Sequence, residues 1–226
     1  MRLGLLGGSF NPIHRCHLSI ARSARQLLQL DRVLFIPTGD PPHKQPGTLA
    51  AASHRHRMVQ LAIQDTPEFA LTDIEIQRSG KSYSIDTVRA IQQEYGPDTV
   101  LFFIIGLDAF LDLPSWKEAD TLLKSCHFVV ISRPSTSFQA MAAIPLFRDV
   151  PQTTLTALDE VRQERADVAI TNGQALTFLR LPPCDVSASE IRARLRSGAS
   201  LANLLPTPVE SYILREELYR EDSERL

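Results

Sequence analysis

Residues 3–18 read LGLLGGSFNPIHRCHL, and the order of residue types in this stretch decides the fold. Leu3 to Leu6 is a short apolar run cut off by Gly7 and Gly8, which reads as a buried parallel strand, since two glycines so soon would break a helix. Ser9, Asn11 and Pro12 then supply a turn. Behind Pro12 the apolar positions Leu18, Ala21, Ala24, Leu27 and Leu28 recur at helical spacing. A strand, a glycine turn and a helix in that order is how α/β proteins build an anion pocket, because unpaired backbone N–H groups and the positive helix end face the ligand. Phosphate is its natural guest.

Outward from this stretch the alternation continues. Residues 33–36 form a second apolar run stopped by Pro37, and TGDPPHKQPGT at 38–48 is a loop too rich in proline and glycine for regular structure. Ser53 is expected to cap a helix through Ile63, followed by a strand over 70–76, a loop at RSGKSYS and a helix over 84–95. Strands are expected at 100–105 and 127–131 with a helix over 115–124 between them. From 135 to 173 the pattern loosens, with one helix around 155–165; a strand at 175–181 and helices over 187–196 and 209–219 complete the chain. The reading is an α/β, Rossmann-like doubly wound parallel sheet with flanking helices, in one domain over 1–226 with a less regular segment at about 138–173.

Composition narrows the function. With 226 residues, 43% of them hydrophobic and 22% charged, the chain can bury a full core. A formal net charge of -2 gives no general field for nucleic acid, so an anionic partner must be small and held by local donors. Cys16, Cys126 and Cys184 are far apart with no C-x-x-C pair; free thiols are expected rather than a disulfide framework or a zinc site. No leader is recognised and no run approaches the ~18 apolar residues of a membrane span. A cytoplasmic location is therefore expected.

His14 and His17 lie three apart, on one face of the expected helix and near its phosphate-facing end. Their ring N–H groups could donate to a phosphoryl oxygen and stabilise charge that develops there. Trp116, beside Pro114 and Ser115, suits stacking on a flat aromatic ligand. Ser84 reads as the cap of the helix that holds Thr87, with Tyr83 before it; Asp108, after Gly106 at a strand end, suits ribose hydroxyls or a helix cap. Ser187 and Glu190 form a capping box with Arg192 beside it, a second anion site. Lys44 could close over phosphates from its loop, whereas His54 to Arg57 read as exposed first turns of a helix.

GGSFNPIHRCHL resembles the G-x-F-x-P-x-H-x-G-H signature of the nucleotidyltransferase superfamily, whose members join a nucleoside triphosphate to a phosphate monoester and release pyrophosphate. Cys16 replaces the glycine between the histidines, and Asn11 replaces the usual bacterial aspartate. PPHK at 41–44, RSGKSYSIDTV at 78–88, IIGLDAFLDLPSWKEADTLL at 104–123 and DVSASEIR at 185–192 follow in the order found in bacterial nicotinate-nucleotide adenylyltransferases.

That resemblance implies an enzyme of NAD biosynthesis that makes deamido-NAD and pyrophosphate from ATP and nicotinate mononucleotide. It places Gly7, Gly8, Ser9, Phe10, His17, Gly106, Asp108, Ser187, Ser189 and Arg192 around ATP, with His14, His17, Arg192 and Lys44 at the reacting phosphates. It puts Tyr83, Ser84, Thr87 and Trp116 at the mononucleotide. Mg2+ would arrive with ATP rather than occupy a protein metal site. The same chemistry on nicotinamide mononucleotide or another phosphate monoester stays open, as does a nucleotide-binding regulator that has lost catalysis.

Overall fold

The computed structural model describes residues 1–42, 48–134, 136–170 and 173–220; Lys44 lies outside them. Its strands are β1 (Arg2–Gly8), β2 (Arg32–Pro37), β3 (Phe69–Leu71), β4 (Val100–Gly106), β5 (His127–Ile131), β6 (Arg165–Ala169) and β7 (Ala175–Leu179). They follow the sheet order β3-β2-β1-β4-β5-β7-β6. The β1–β4, β4–β5, β5–β7 and β2–β3 pairs are parallel, and β6 runs antiparallel to β7. The expected mostly parallel α/β sheet is therefore present. Among the described residues no helix is long and apolar enough to cross a membrane.

The chain divides into two compact units, the first made of Met1–Leu6, Ser23–Asp31 and Tyr83–Pro183. Here β1 pairs with β4 from Arg2↔Val100 to Leu6↔Ile104. The middles of β4 and β5 are buried along unbroken apolar runs, as expected of parallel strands covered on both faces, and β7 is buried from Leu176 to Leu179 with Thr177 as a buried polar residue within it. Helices α3 (Ser84–Tyr95), α4 (Leu107–Leu111), α5 (Ala119–Ser125) and α6 (Gln152–Asp159) belong to this unit.

The segment read as irregular is anchored by aromatic packing. Phe147 stacks on Phe110 with ring centroids 4.5 Å apart, and Phe138 meets Phe178 edge-on at 5.8 Å. Each such burial stabilises by roughly 1.5–3 kcal/mol. The Asp159 carboxylate accepts from the Phe138 and Gln139 backbone N–H groups at 2.9 and 3.0 Å and from the Ser137 hydroxyl. Partial burial opposes ionisation there, yet these hydrogen bonds hold the carboxyl below its ordinary range. The expected helix at 155–165 instead ends at Asp159, because Arg165–Ala169 is taken up as β6. That strand is an edge with mostly exposed positions, so its apolar signal is weak.

The second unit comprises Gly7–Arg22, Arg32–Ser82 and Cys184–Leu226. β3 is shorter than the expected strand: past Leu71, Thr72 N–H still reaches the Phe35 carbonyl, but Ile74 N–H turns to the Thr72 hydroxyl. Helix α2 (Ala52–Ile63) packs on β2, β3 and α8 (Thr207–Arg215). Its first flanking residue is Ala51, with no side-chain cap, so Ser53 is an internal residue and not the cap. Cys16 and Cys184 are joined as a disulfide with Cα atoms 5.8 Å apart across a sequence separation of 168. This corrects the expectation of free thiols, which holds only for buried Cys126. Pairing is decided by proximity in space, and cysteine spacing does not contain it.

Candidate active site

The second unit builds one cluster around the turn that follows β1. A Cβ on Gly8 would press on the Phe10 ring at 3.3 Å, so the glycine lets that ring fold back under the strand end. Phe10 is buried, has a left-handed φ of 45° and meets the His17 ring edge-on at 5.1 Å. The Asn11–Pro12 bond is cis. Helix α1 (Arg15–Leu28) starts after His14, so His14 lies just before the helix and not on it with His17 as expected. Its buried face holds Leu18, Ala21, Ala24 and Leu28, while Leu27 is exposed, against the sequence pattern.

The two imidazoles lie 3.8 Å apart, centroid to centroid, tilted by 34°. His14 donates its backbone N–H to Nδ1 of His17 at 3.2 Å, and its carbonyl accepts the His17 backbone N–H at 3.0 Å. With Nδ1 engaged as an acceptor, a neutral His17 ring carries its proton on Nε2 and is a donor there.

Helix α7 (Ala188–Ser197) brings Arg192 to the same turn. One Nη donates to the Asn11 carbonyl at 2.7 Å and the other to the Ser189 hydroxyl at 3.2 Å. Ser187 caps the helix by accepting the Glu190 N–H at 3.1 Å. The other half of the expected capping box is not made, because the Glu190 carboxylate turns to Arg194 at 2.8 Å.

In the first unit, β4 ends at Gly106, where a Cβ would collide with Arg133 and Asp108 at 2.5 Å. Asp108 is not a cap; it lies in the first turn of α4 and pairs with Arg133 Nε at 3.2 Å. Both side chains are well exposed, so the pair contributes at most about 1 kcal/mol and can exchange for a ligand at little cost. Trp116 is half-buried, edge-on to Phe103 at 6.3 Å. The residue flanking α3 is Tyr83, with no side-chain cap, so Ser84 is the first helical residue rather than its cap. Thr87 is buried with its hydroxyl on the Tyr83 carbonyl at 3.3 Å. Lys117 lies over the Tyr83 ring at 4.9 Å and pairs with Asp86 at 2.9 Å.

Residues 5–194 match the model of the cytidylyltransferase-like family. A protein from Geobacter metallireducens is 41% identical over 98% of this chain and 100% of its own length. One from Citrifermentans bemidjiense is 42% identical over 97% of this chain and 98% of its own. Both carry the name "Probable nicotinate-nucleotide adenylyltransferase". This chain belongs to the cytidylyltransferase-like family, among its nicotinate-nucleotide adenylyltransferases. The fold agrees: Plasmodium falciparum nicotinic acid mononucleotide adenylyltransferase, solved with NaAD, superposes with a TM-score of 0.71 over 96% of this chain and 97% of that one, at 19% identity. Its complex with APC gives 0.70 over 96% of each chain, at 18% identity.

Within this adenylyltransferase framework two residues were missed from sequence. Arg55 is buried, not exposed, and its guanidinium donates to the carbonyls of Ala50 at 2.9 Å, Ser9 at 2.9 Å and Gly39 at 3.3 Å. It thereby fixes the turn after β1 against the loop after β2. Burial lowers its pKa, and Tyr219 and Glu75 nearby oppose that shift. The signal was there: Arg55, Met58, Val59 and Ile63 form the buried stripe of α2, a charge on an apolar face. The second is Tyr219, whose hydroxyl donates to Asn11 Oδ1 at 2.9 Å, while that oxygen also accepts the Ala50 N–H at 3.0 Å. Burial pushes the phenol's pKa up, with Arg192 and Arg55 pulling it back. No periodicity marks that contact.

Proposed function

We propose that the chain transfers the adenylyl group of ATP to nicotinate mononucleotide, forming deamido-NAD and releasing pyrophosphate. The observation that carries this reading is the convergence of His14, His17 and Arg192 on the turn after β1, with Phe10 and Arg55 holding that turn in shape. The acceptor phosphate is already an anion and attacks the α-phosphorus in line, so no protein nucleophile is needed. His17 Nε2 donates to the α-phosphoryl oxygen as charge builds, and Arg192 takes the outer phosphates. Ser187 and Ser189, at the start of α7, add polar contacts to the nucleotide, and the Gly7–Gly8 strand end lets backbone approach it.

Trp116 stacks on the pyridine ring, with Tyr83 and Ser84 completing the mononucleotide side, while Asp108 takes the ribose hydroxyls of ATP. Thr87 acts there only through the Tyr83 backbone it braces. Mg2+ carried by the triphosphate would neutralise part of its charge. This chain's own share of charge neutralisation comes from the imidazoles of His14 and His17 and the guanidinium of Arg192. A cytoplasmic location, where ATP is available, goes with this reading.

The test is pyrophosphate release measured in parallel with nicotinate and nicotinamide mononucleotides. Turnover with a clear preference for nicotinate supports the reading. A preference for the nicotinamide compound replaces the substrate, and ATP binding without pyrophosphate from any acceptor removes the enzyme.

A further inference from the structure

We propose that Cys16 and Cys184 form a thiol–disulfide exchange site whose state sets how firmly the turn after β1 and helix α7 hold ATP. The control of ATP rests on the function proposed above; the exchange chemistry does not. Cys16 lies between His14 and His17, in the first turn of α1 and at the position the family signature gives to glycine. Cys184 stands three residues before Ser187, the cap of the helix that carries Arg192. Their bond is thus a covalent tie between the two elements that bear the imidazoles and the guanidinium. Besides it, the direct tie from Arg192 to the turn is its hydrogen bond to the Asn11 carbonyl, at 2.7 Å.

The two sulfur-bearing residues differ in a way that suits exchange. Cys184 is solvent-exposed, whereas Cys16 is buried. A thiolate of an external dithiol can therefore attack Cys184 Sγ, breaking the Cys16–Cys184 bond and expelling the Cys16 thiolate, which the positive end of α1 stabilises as a leaving group. The second thiol of the reductant then attacks the mixed disulfide and frees Cys184. The dithiol ends as its own disulfide, having given two electrons and two protons, and the chain gains two thiols. In a reducing compartment such a bond is transient and suited to sensing.

Closed, the bond keeps residues 184–187 beside the first turn of α1, so part of the ordering that ATP needs is already present. Opened, that ordering must be supplied when ATP binds, and affinity falls.

The experiment uses full-length protein, once oxidised with a low-molecular-weight disulfide and once reduced with dithiothreitol. Thiols are counted after denaturation, and ATP binding is measured by calorimetry separately from pyrophosphate release. Buried Cys126 is the internal standard: one thiol is expected in the oxidised protein, and all three in the reduced. Reduction is expected to raise the ATP dissociation constant about fivefold or more, and Cys184→Ser is expected to sit at the weaker value whatever the redox state. Three thiols under oxidising conditions, or an active enzyme with one ATP affinity in both states, overturns the exchange site. A redox-dependent ATP affinity in protein that releases no pyrophosphate supports it, and overturns the proposed reaction instead.

Discussion

His17 receives the backbone N–H of His14 on its Nδ1 at 3.2 Å, and this one bond determines which ring nitrogen can serve a ligand. The pairing comes from the last residue before α1 folding onto its first turn, so the donor orientation is built before any substrate arrives.

Loss of that donor defines the first prediction. His17→Ala is expected to lower kcat by about 10²–10³-fold, the usual cost of removing one oriented donor to a developing oxyanion. The KM for ATP should change far less. Pyrophosphate release at saturating substrates measures this, with circular dichroism as the check on folding; a kcat near the wild-type value ends the role given to His17.

Arg55→Met probes the shape of the turn. It leaves the Ser9, Ala50 and Gly39 carbonyls without their present donor in a buried place, and is expected to destabilise the protein by about 2–4 kcal/mol. Urea unfolding midpoints report the loss. A midpoint shift within error would mean that water or a neighbour satisfies those carbonyls.

For Trp116→Ala the expected effect is on one substrate only. Loss of a stacking face worth about 1 kcal/mol should raise the KM for nicotinate mononucleotide several-fold and leave that for ATP nearly unchanged. Steady-state kinetics with each substrate varied in turn separates the two; an equal rise in both would point to a packing role against Phe103.

The pH dependence of stability follows from Asp159. Its carboxyl is held below the ordinary range in the folded chain by three donors, against the opposing effect of partial burial. Its stabilisation is therefore complete above the unfolded value of about 3.9 and is lost as pH falls from there through the folded value. Asp159→Asn should be less stable than wild type at neutral pH, and the gap should narrow on acidification through that window. Urea titrations at a series of pH values test it, and a constant gap would assign the effect to something other than ionisation.

Much of the fold is legible without coordinates because local patterns carry it. The unbroken run 127–131 coincides with β5, and 84–95 coincides with α3, since apolar runs and helical stripes record burial directly. The closeness of the two imidazoles and the helix cap at Ser187 are likewise visible, as each depends on neighbours about one helical turn away. Edge strand β6 is not, because a strand with exposed alternate positions writes little into its hydrophobicity. Nor are the capping roles wrongly given to Ser53 and Ser84, where a shift of two residues and of one in the helix start changes which group faces the free N–H groups.

What the order of residues determined alone was an α/β chain with a phosphate-type turn after its first strand and paired imidazoles behind it. Tertiary structure decided the rest: that Arg192 reaches the Asn11 carbonyl across 181 positions, that Arg55 is buried under the turn, and that Cys16 meets Cys184. Each of these depends on which distant segments come within a few ångströms of one another, and that is set by packing of the whole chain, not by any local period.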